Sequence, residues 1–131
     1  MIVLDASAVV ELLLDTVAGR RVAILISDPA TGVHVPHLLD VEVLSALRRL
    51  TLDGVIHDDD AAAAIDDLLE LDLQRHSHEG LLVHGWALRK NITAYDAVYV
   101  ALAEALGATL VTCDARLTKA PGVKPRIELV K

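Results

Sequence analysis

Apolar residues recur along this chain in two rhythms. Ile2-Val3-Leu4 and Ala108-Thr109-Leu110-Val111-Thr112-Cys113 are short β-branched runs ending at an acid, the pattern of strands buried on both faces of a parallel sheet. Val33-His34-Val35-Pro36 is a brief extended piece, Leu71-Asp72-Leu73 alternates in the manner of a strand, and a last strand is expected over about Arg126 to Val130. Elsewhere the spacing is helical. Ser7 is placed to cap a helix carrying Val9, Val10, Leu12 and Leu13, and residues 17–27 continue as a second, broken by Asp28-Pro29 and Gly32. From Pro36 a stripe of Leu39, Val43, Leu47 and Leu50 runs to about Leu52, with Asp53-Gly54 as its stop. Asp58, Asp59 and Asp60 load the start of the next helix, where the dipole favours anions, and Ala61 to Leu71 follow. Helices are expected again from Glu79 to Lys90 and from Thr93 to Leu106, where Gly107 terminates the run. A short helical turn at Pro121-Gly122 precedes the final strand.

Strands alternating with helices predict an α/β fold, because parallel strands need crossovers and helices are the usual crossovers. The expected architecture is a single domain over residues 1–131, with a central, mostly parallel sheet flanked by helices. A domain of this length removes roughly two-thirds of its unfolded surface from water, so it needs neither disulfides nor a structural metal. The one cysteine, Cys113, has no internal partner, and no Cys/His spacing suggests a zinc ribbon.

Charge narrows the function classes. Twelve Lys and Arg against nineteen Asp and Glu give a net charge of −7, so a broad electrostatic grip on nucleic acid is not expected. Chemistry on a polyanion would then need metal ions to offset the repulsion. The basic pairs Arg20-Arg21, Arg48-Arg49 and Arg89-Lys90 are either local phosphate contacts or solvated helix faces. No basic segment precedes Asp5, and the longest nearly uncharged stretch, Ala97 to Cys113, is interrupted by Glu104 and Gly107, short of the ~20 apolar residues a spanning helix requires. A reducing cytoplasm, away from any membrane, is the expected setting.

Open α/β sheets bind ligands beyond the carboxyl ends of their strands. Asp5 and Asp114 each follow one of the two most strand-like runs. On neighbouring strands, ~4.8 Å apart, their carboxylates would share an edge and repel unless a cation sits between them. A hard divalent ion with oxygen ligands is the natural occupant. Asp96 stands at the third position of the helix capped by Thr93, with its carboxylate directed back toward the helix start. Glu42 lies in the Pro36 helix, flanked by the small residues Ser45 and Ala46. Each acid has a plainer account: Asp5 and Asp114 as helix caps, Asp96 as the partner of Thr93 in a capping box, Glu42 as a surface acid. Capping alone does not explain why an acid follows both apolar strands and a third opens an adjacent helix, which favours a metal site. His76, Ser77 and His78, with His84 nearby, lack a convincing fourth zinc ligand and are expected to be solvent-exposed.

Four motifs together resemble the PIN-domain ribonucleases, and most closely the VapC toxins of bacterial type II toxin–antitoxin pairs. They are Ile2-Val3-Leu4-Asp5-Ala6-Ser7, Pro36-x-Leu38-x-x-x-Glu42, Thr93-Ala94-Tyr95-Asp96-Ala97-x-Tyr99-x-Ala101-x-Ala103 and Thr112-Cys113-Asp114-x-Arg116-Leu117. They occur in order and span nearly the whole chain, with no departure at the four acids. The resemblance implies a metal-dependent endoribonuclease in which Asp5, Glu42, Asp96 and Asp114 bind Mg²⁺ or Mn²⁺ and carry the catalysis, with the hydroxyls of Ser7 and Thr112 in support. Arg116 matches a family position whose role is either phosphate contact or structural pairing. The resemblance further implies an RNA substrate, a homodimer, and a cognate VapB-like antitoxin able to push a basic side chain into the acidic site. The expected reaction is hydrolysis of a phosphodiester without a histidine base, since a divalent ion lowers the pKa of water toward neutrality.

Three rivals differ in class. An aspartate-nucleophile phosphatase wants a second acid two residues after the first, where this chain has Ser7. A receiver-like phosphorylation switch wants an acidic pair after the first strand, which is missing. A catalytically silent RNA- or protein-binding module is the non-enzymatic alternative.

Overall fold

The computed structural model describes residues 1–131. Five short strands, β1 (Ile2–Leu4), β2 (Val33–Pro36), β3 (Gln74–His76), β4 (Thr109–Thr112) and β5 (Ile127–Leu129), make one sheet in the order β3-β2-β1-β4-β5. Every neighbouring pair is parallel, with Ile2 opposite Val33 on one side and opposite Thr109 on the other. Parallel pairing forces each connection back over a face of the sheet, and the intervening helices do this. α1 (Ala6–Leu13) and α2 (Val17–Leu25) lead to β2; α3 (Leu38–Leu52) and α4 (Asp58–Glu70) lead to β3; α5 (Leu82–Ala87) and α6 (Ala94–Leu106) lead to β4; α7 (Arg116–Lys119) leads to β5. No helix is long and apolar enough to cross a membrane.

The central strand is dry on both faces: Val3 and Leu4 are fully buried, as the run of β-branched residues requires. α6 packs against β1, β2 and β4 and buries Ala97, Tyr99, Val100, Ala101, Leu102 and Ala103. Three alanines in that set let the helix axis approach the sheet. Gly107 ends it in the left-handed conformation, at φ 62°.

Several boundaries differ from the sequence expectation. Asp5, not Ser7, is the residue before the first helical position of α1, and Ser7 lies inside the first turn. Pro36 closes β2, and α3 begins only at Leu38. The alternation at Leu71–Leu73 is not a strand. Leu71 ends α4 in an extended conformation and the Leu73 N–H bonds back to the Leu71 carbonyl, so pairing is deferred to Gln74–His76, while both leucines pack on the core. The run from Glu79 to Lys90 divides into a 3₁₀ turn, Glu79–Leu81, and the short α5. The turn of helix near the end is Arg116–Lys119, and Gly122, at φ 80°, makes a tight turn instead.

Candidate active site

The connection after β1 leaves toward β2 and the one after β4 leaves toward β5, on opposite sides. The carboxyl ends of β1 and β4 therefore flank the point where the winding reverses, the usual binding crevice of an open α/β sheet. Asp5 follows β1 and Asp114 lies just past β4. α3 and α6 bring Glu42 and Asp96 to the same place. All four acids line one cavity of about 410 Å³, together with Ser7 and Arg116.

Asp5 is 6% exposed and does not cap α1. Its Oδ2 accepts from Ser7 Oγ at 2.7 Å and from Thr112 Oγ1 at 2.8 Å. Each hydroxyl in turn accepts a backbone N–H, that of Cys113 on Ser7 and that of Asp114 on Thr112, both at 3.0 Å. Each hydroxyl has one proton and gives it to Asp5, so their mutual 3.2 Å separation is a contact rather than a further hydrogen bond. The carboxylate is thereby fixed in rotamer and tied to the end of β4. The plainer reading of Asp5 as a cap is set aside by this geometry.

Glu42 is half-buried, and its Oε1 accepts from Tyr99 Oη at 2.6 Å. Burial pushes the Glu42 pKa up, the tyrosine hydrogen bond opposes this, and the charges of Asp5 and Asp96 add to the rise. Tyr99 is fully buried and its phenol is driven well above its ordinary value, first by burial and then by the bond to Glu42, so it acts only as a donor. Sequence reasoning assigned Tyr99 no role. The signal was its place three residues after Asp96, on the same side of α6, but what the phenol meets depends on how α6 packs against α3. Tyr99→Phe removes the bond that restrains Glu42. The Glu42 pKa is expected to rise further, read by carboxyl carbon NMR titration, and stability to fall by about 1–2 kcal/mol in denaturant unfolding.

Asp96 sits where a capping box was considered. Thr93 Oγ1 accepts the Asp96 N–H at 3.2 Å, but the return bond from the Asp96 carboxylate to the Thr93 N–H is not made. The carboxylate faces the cavity instead. Burial raises its pKa, and the Asp5 and Asp114 charges raise it again against the opposing Thr93 and Arg116. Asp114 differs: Arg116 holds it below the usual range through Nη2–Oδ2 at 2.7 Å, and Asp114 Oδ1 also accepts the Arg116 N–H at 2.9 Å. Arg116 therefore pairs structurally with Asp114, with its side chain 86% exposed. Glu11, which carried no signal in the sequence, and Arg49, from the basic pair Arg48-Arg49, also line the cavity. The Glu11 carboxylate accepts a hydrogen bond from the Thr16 hydroxyl and serves the α1–α2 corner.

No three acids are drawn tightly enough together to hold an ion as they stand. The donor set nevertheless suits a hard divalent cation: carboxylate oxygens from four elements, two of them with pKa values raised first by burial and then by the neighbouring acids. Arg116, swung over Asp114, is the only cation that shifts these acids.

The histidines are not at this site, and they are not freely exposed as expected. His34 Nδ1 and His76 Nε2 lie 2.8 Å apart across β2 and β3, and His78 Nε2 accepts the Leu38 N–H at 2.9 Å at the start of α3. His84 pairs with Glu104 at 2.8 Å. Parallel strand pairing brings together residues 42 apart, which spacing along the chain does not reveal.

The PIN domain family model matches residues 2–123. The chain belongs to the PIN-domain family. Within it, ribonuclease VapC12 of Mycobacterium tuberculosis is 42% identical over 130 residues, covering 99% of each protein. Ribonuclease VapC1 of the same organism is 43% identical, covering 98% of this chain and 97% of that one. This PIN domain is thus a VapC homologue. Among solved structures, VapBC2 from Rickettsia felis, bound to a DNA fragment from their promoter, superposes with a TM-score of 0.73 over the full length of both chains at 16% identity. VapC20 of Mycobacterium tuberculosis, a toxin that cleaves the sarcin-ricin loop, gives 0.66 at 15% identity over 88% of this chain and 91% of its own. At those identities the likeness is one of fold, and it matches the all-parallel sheet described above.

Proposed function

We propose that this PIN domain, spanning residues 1–131, is a VapC-type toxin: an endoribonuclease that hydrolyses RNA phosphodiester bonds with a divalent metal and is held inactive by a cognate VapB-like antitoxin. One observation carries the reading: four acids from four elements line a single cavity, in a chain 42% identical to a ribonuclease over nearly its whole length. Asp5, Glu42, Asp96 and Asp114 would hold Mg²⁺, with Mn²⁺ as an alternative. Ser7 and Thr112 fix the Asp5 rotamer, and Tyr99 fixes Glu42. Bound there, a divalent ion would supply a nucleophile at neutral pH and would offset charge on the leaving oxygen. The Asp114–Arg116 pair stands at the rim, where the guanidinium can turn from the carboxylate to a substrate phosphate. The same concentration of negative charge suits a basic side chain of an antitoxin. The VapBC pairs of Rickettsia felis and Salmonella typhimurium share the fold, which supports such a partner. A homodimer working in the cytoplasm completes the proposal.

Incubation with RNA tests it. Cleavage is expected with Mg²⁺ or Mn²⁺ and abolished by EDTA, with 5′-phosphate and 3′-hydroxyl ends by resemblance to the family. Cutting that persists in EDTA would defeat the mechanism.

A further inference from the structure

Three depressions run into one another. The acid cavity shares Asp96 and Arg116 with a groove of about 620 Å³ whose walls carry Arg89, Lys90, Arg116 and Lys119. That groove shares Arg89, Ile92 and Thr93 with an apolar hollow of about 300 Å³ against Leu82, Trp86 and Val98.

The charge of the middle groove is out of character for the chain. Four of the twelve Lys and Arg gather there although the net charge is −7. Arg89, Lys90 and Lys119 form no ion pair with any carboxylate, and Arg116 pairs only with Asp114 at the boundary of the acid cavity. Only one of the nineteen acids, Asp96, lines the groove, so cations left unpartnered in that concavity make a local positive potential that an anion from outside can satisfy. The hollow beyond it is built for a flat apolar group. Trp86, one of only three aromatic residues, is 68% exposed. The Arg89 guanidinium lies 4.7 Å from the Trp86 ring centroid and its Nη1 donates to the Trp86 carbonyl at 3.1 Å, which joins the last cation of the groove to the ring. Acid cavity, cations and aromatic ring follow one another as scissile phosphate, flanking phosphates and nucleobase do along a strand.

We propose that this path is the track of single-stranded RNA on one side of the bond to be cut: backbone phosphates lie along Arg116, Lys119, Lys90 and Arg89, and one unpaired base stacks with Trp86 in the apolar hollow. The inference rests on the ribonuclease reading above and adds the substrate's path and strandedness. The base must be splayed out to enter the hollow, which a duplex does not allow. The acidic surface around the groove, in a chain of net charge −7, repels any strand that does not follow it, so the track also selects.

Binding and cleavage are measured separately. For binding, Asp5→Asn is introduced throughout so that a short unstructured RNA stays intact in Mg²⁺, and affinity is followed against salt concentration. Combined Arg89→Ala, Lys90→Ala and Lys119→Ala is expected to flatten the slope of log affinity against log salt by about 2, from three single-strand phosphate contacts at ~0.7 each. Trp86→Ala is expected to weaken binding roughly 5- to 100-fold with the slope unchanged, and Trp86→Phe to recover most of it. For cleavage, the same changes in otherwise unaltered protein are expected to raise KM and leave kcat in place. Unchanged affinity and slope in the triple variant would overturn the proposal. So would a Trp86→Ala protein that binds RNA normally but sediments as a smaller species, since the hollow would then be covered by a second copy of the chain. RNA that binds with the expected dependence yet is never cut by the unaltered protein would support the track and overturn the ribonuclease reading.

Discussion

Asp96→Asn is expected to abolish RNA cleavage, by about 10³-fold or more, while making the metal-free protein more stable at neutral pH. The loss follows from the proposed metal site, where Asp96 would be one anionic ligand of an ion whose transition-state stabilisation is worth several kcal/mol. The gain follows from linkage. The folded-state pKa of Asp96 is raised, first by burial and then by Asp5 and Asp114, and that of Glu42 is raised by burial. The folded protein therefore binds more protons than the unfolded chain between the ordinary carboxylate value and the raised one, so stability falls as pH rises through that window. The penalty is full above the raised pKa and absent below the ordinary one. Mild acidification of the metal-free protein should accordingly raise its melting temperature, and Asp96→Asn should flatten that response. Asp114 has the opposite sign: Arg116 lowers its pKa, so its contribution is present above the ordinary value and disappears only as pH falls through the depressed one. Saturating Mg²⁺ should reverse the order of the two proteins, since only the four-acid form gains from the ion. Calorimetry with and without metal reads both effects. An Asp96→Asn protein that melts lower than wild type in EDTA at neutral pH would contradict the account of a carboxylate held at a cost by burial and by its acidic neighbours.

Gly19→Ala is expected to be the most damaging small substitution outside the acid cavity, costing about 3 kcal/mol or more. Gly19 stands in the first turn of α2, its N–H bonded to Thr16 Oγ1 at 3.0 Å, where α2 crosses α1. A Cβ there would lie 1.9 Å from the Glu11 carbonyl oxygen and 2.4 Å from its carbon. Both are backbone atoms, so no rotamer change relieves the clash; α2 must move off α1. The corner between them is already tight, with Asp15 at φ 53°. Gly107→Ala is the control. Its site is open, with nothing within 4 Å, so only the left-handed backbone at φ 62° is at stake and a cost of about 1–2 kcal/mol is expected. Thermal unfolding should separate the two by several degrees. Equal losses would mean that the helices part more easily than their spacing suggests.

What was legible in the chain and what was not divides along a physical line. Asp5 and Asp114 were readable because an apolar run that stops at an acid marks a strand end, and strand ends of a parallel sheet face one edge. Asp96 was readable because a helix start fixes the direction of its first side chains. Glu42 had no such local marker, and its placement came from resemblance; the angle at which α3 lies against α6 decides that it meets Tyr99. β3 was misplaced because Leu71 and Leu73 are apolar for the core's sake while the ladder bonds fall to Gln74–His76, whose side chains carry no strand rhythm. The pairing of His34 with His76 was hidden for the same reason. Arg89-Lys90 could be read from sequence as either phosphate contacts or a solvated helix face, and Lys119 carried no local signal at all; their place in one groove without carboxylate partners is visible only in three dimensions.

The carboxylate of Asp5 is oriented by Thr112, 107 residues further on, and β1 acquires its neighbour β4 only at that point in the sequence. On a ribosome adding about 5–20 residues each second, the first strand waits several seconds before the second half of its pocket has been synthesised. The unfinished polypeptide therefore has no assembled site with which to attack the transcript from which it is being read. Destructive capacity is withheld until β4 and residues 112–114 have been added and have paired with β1.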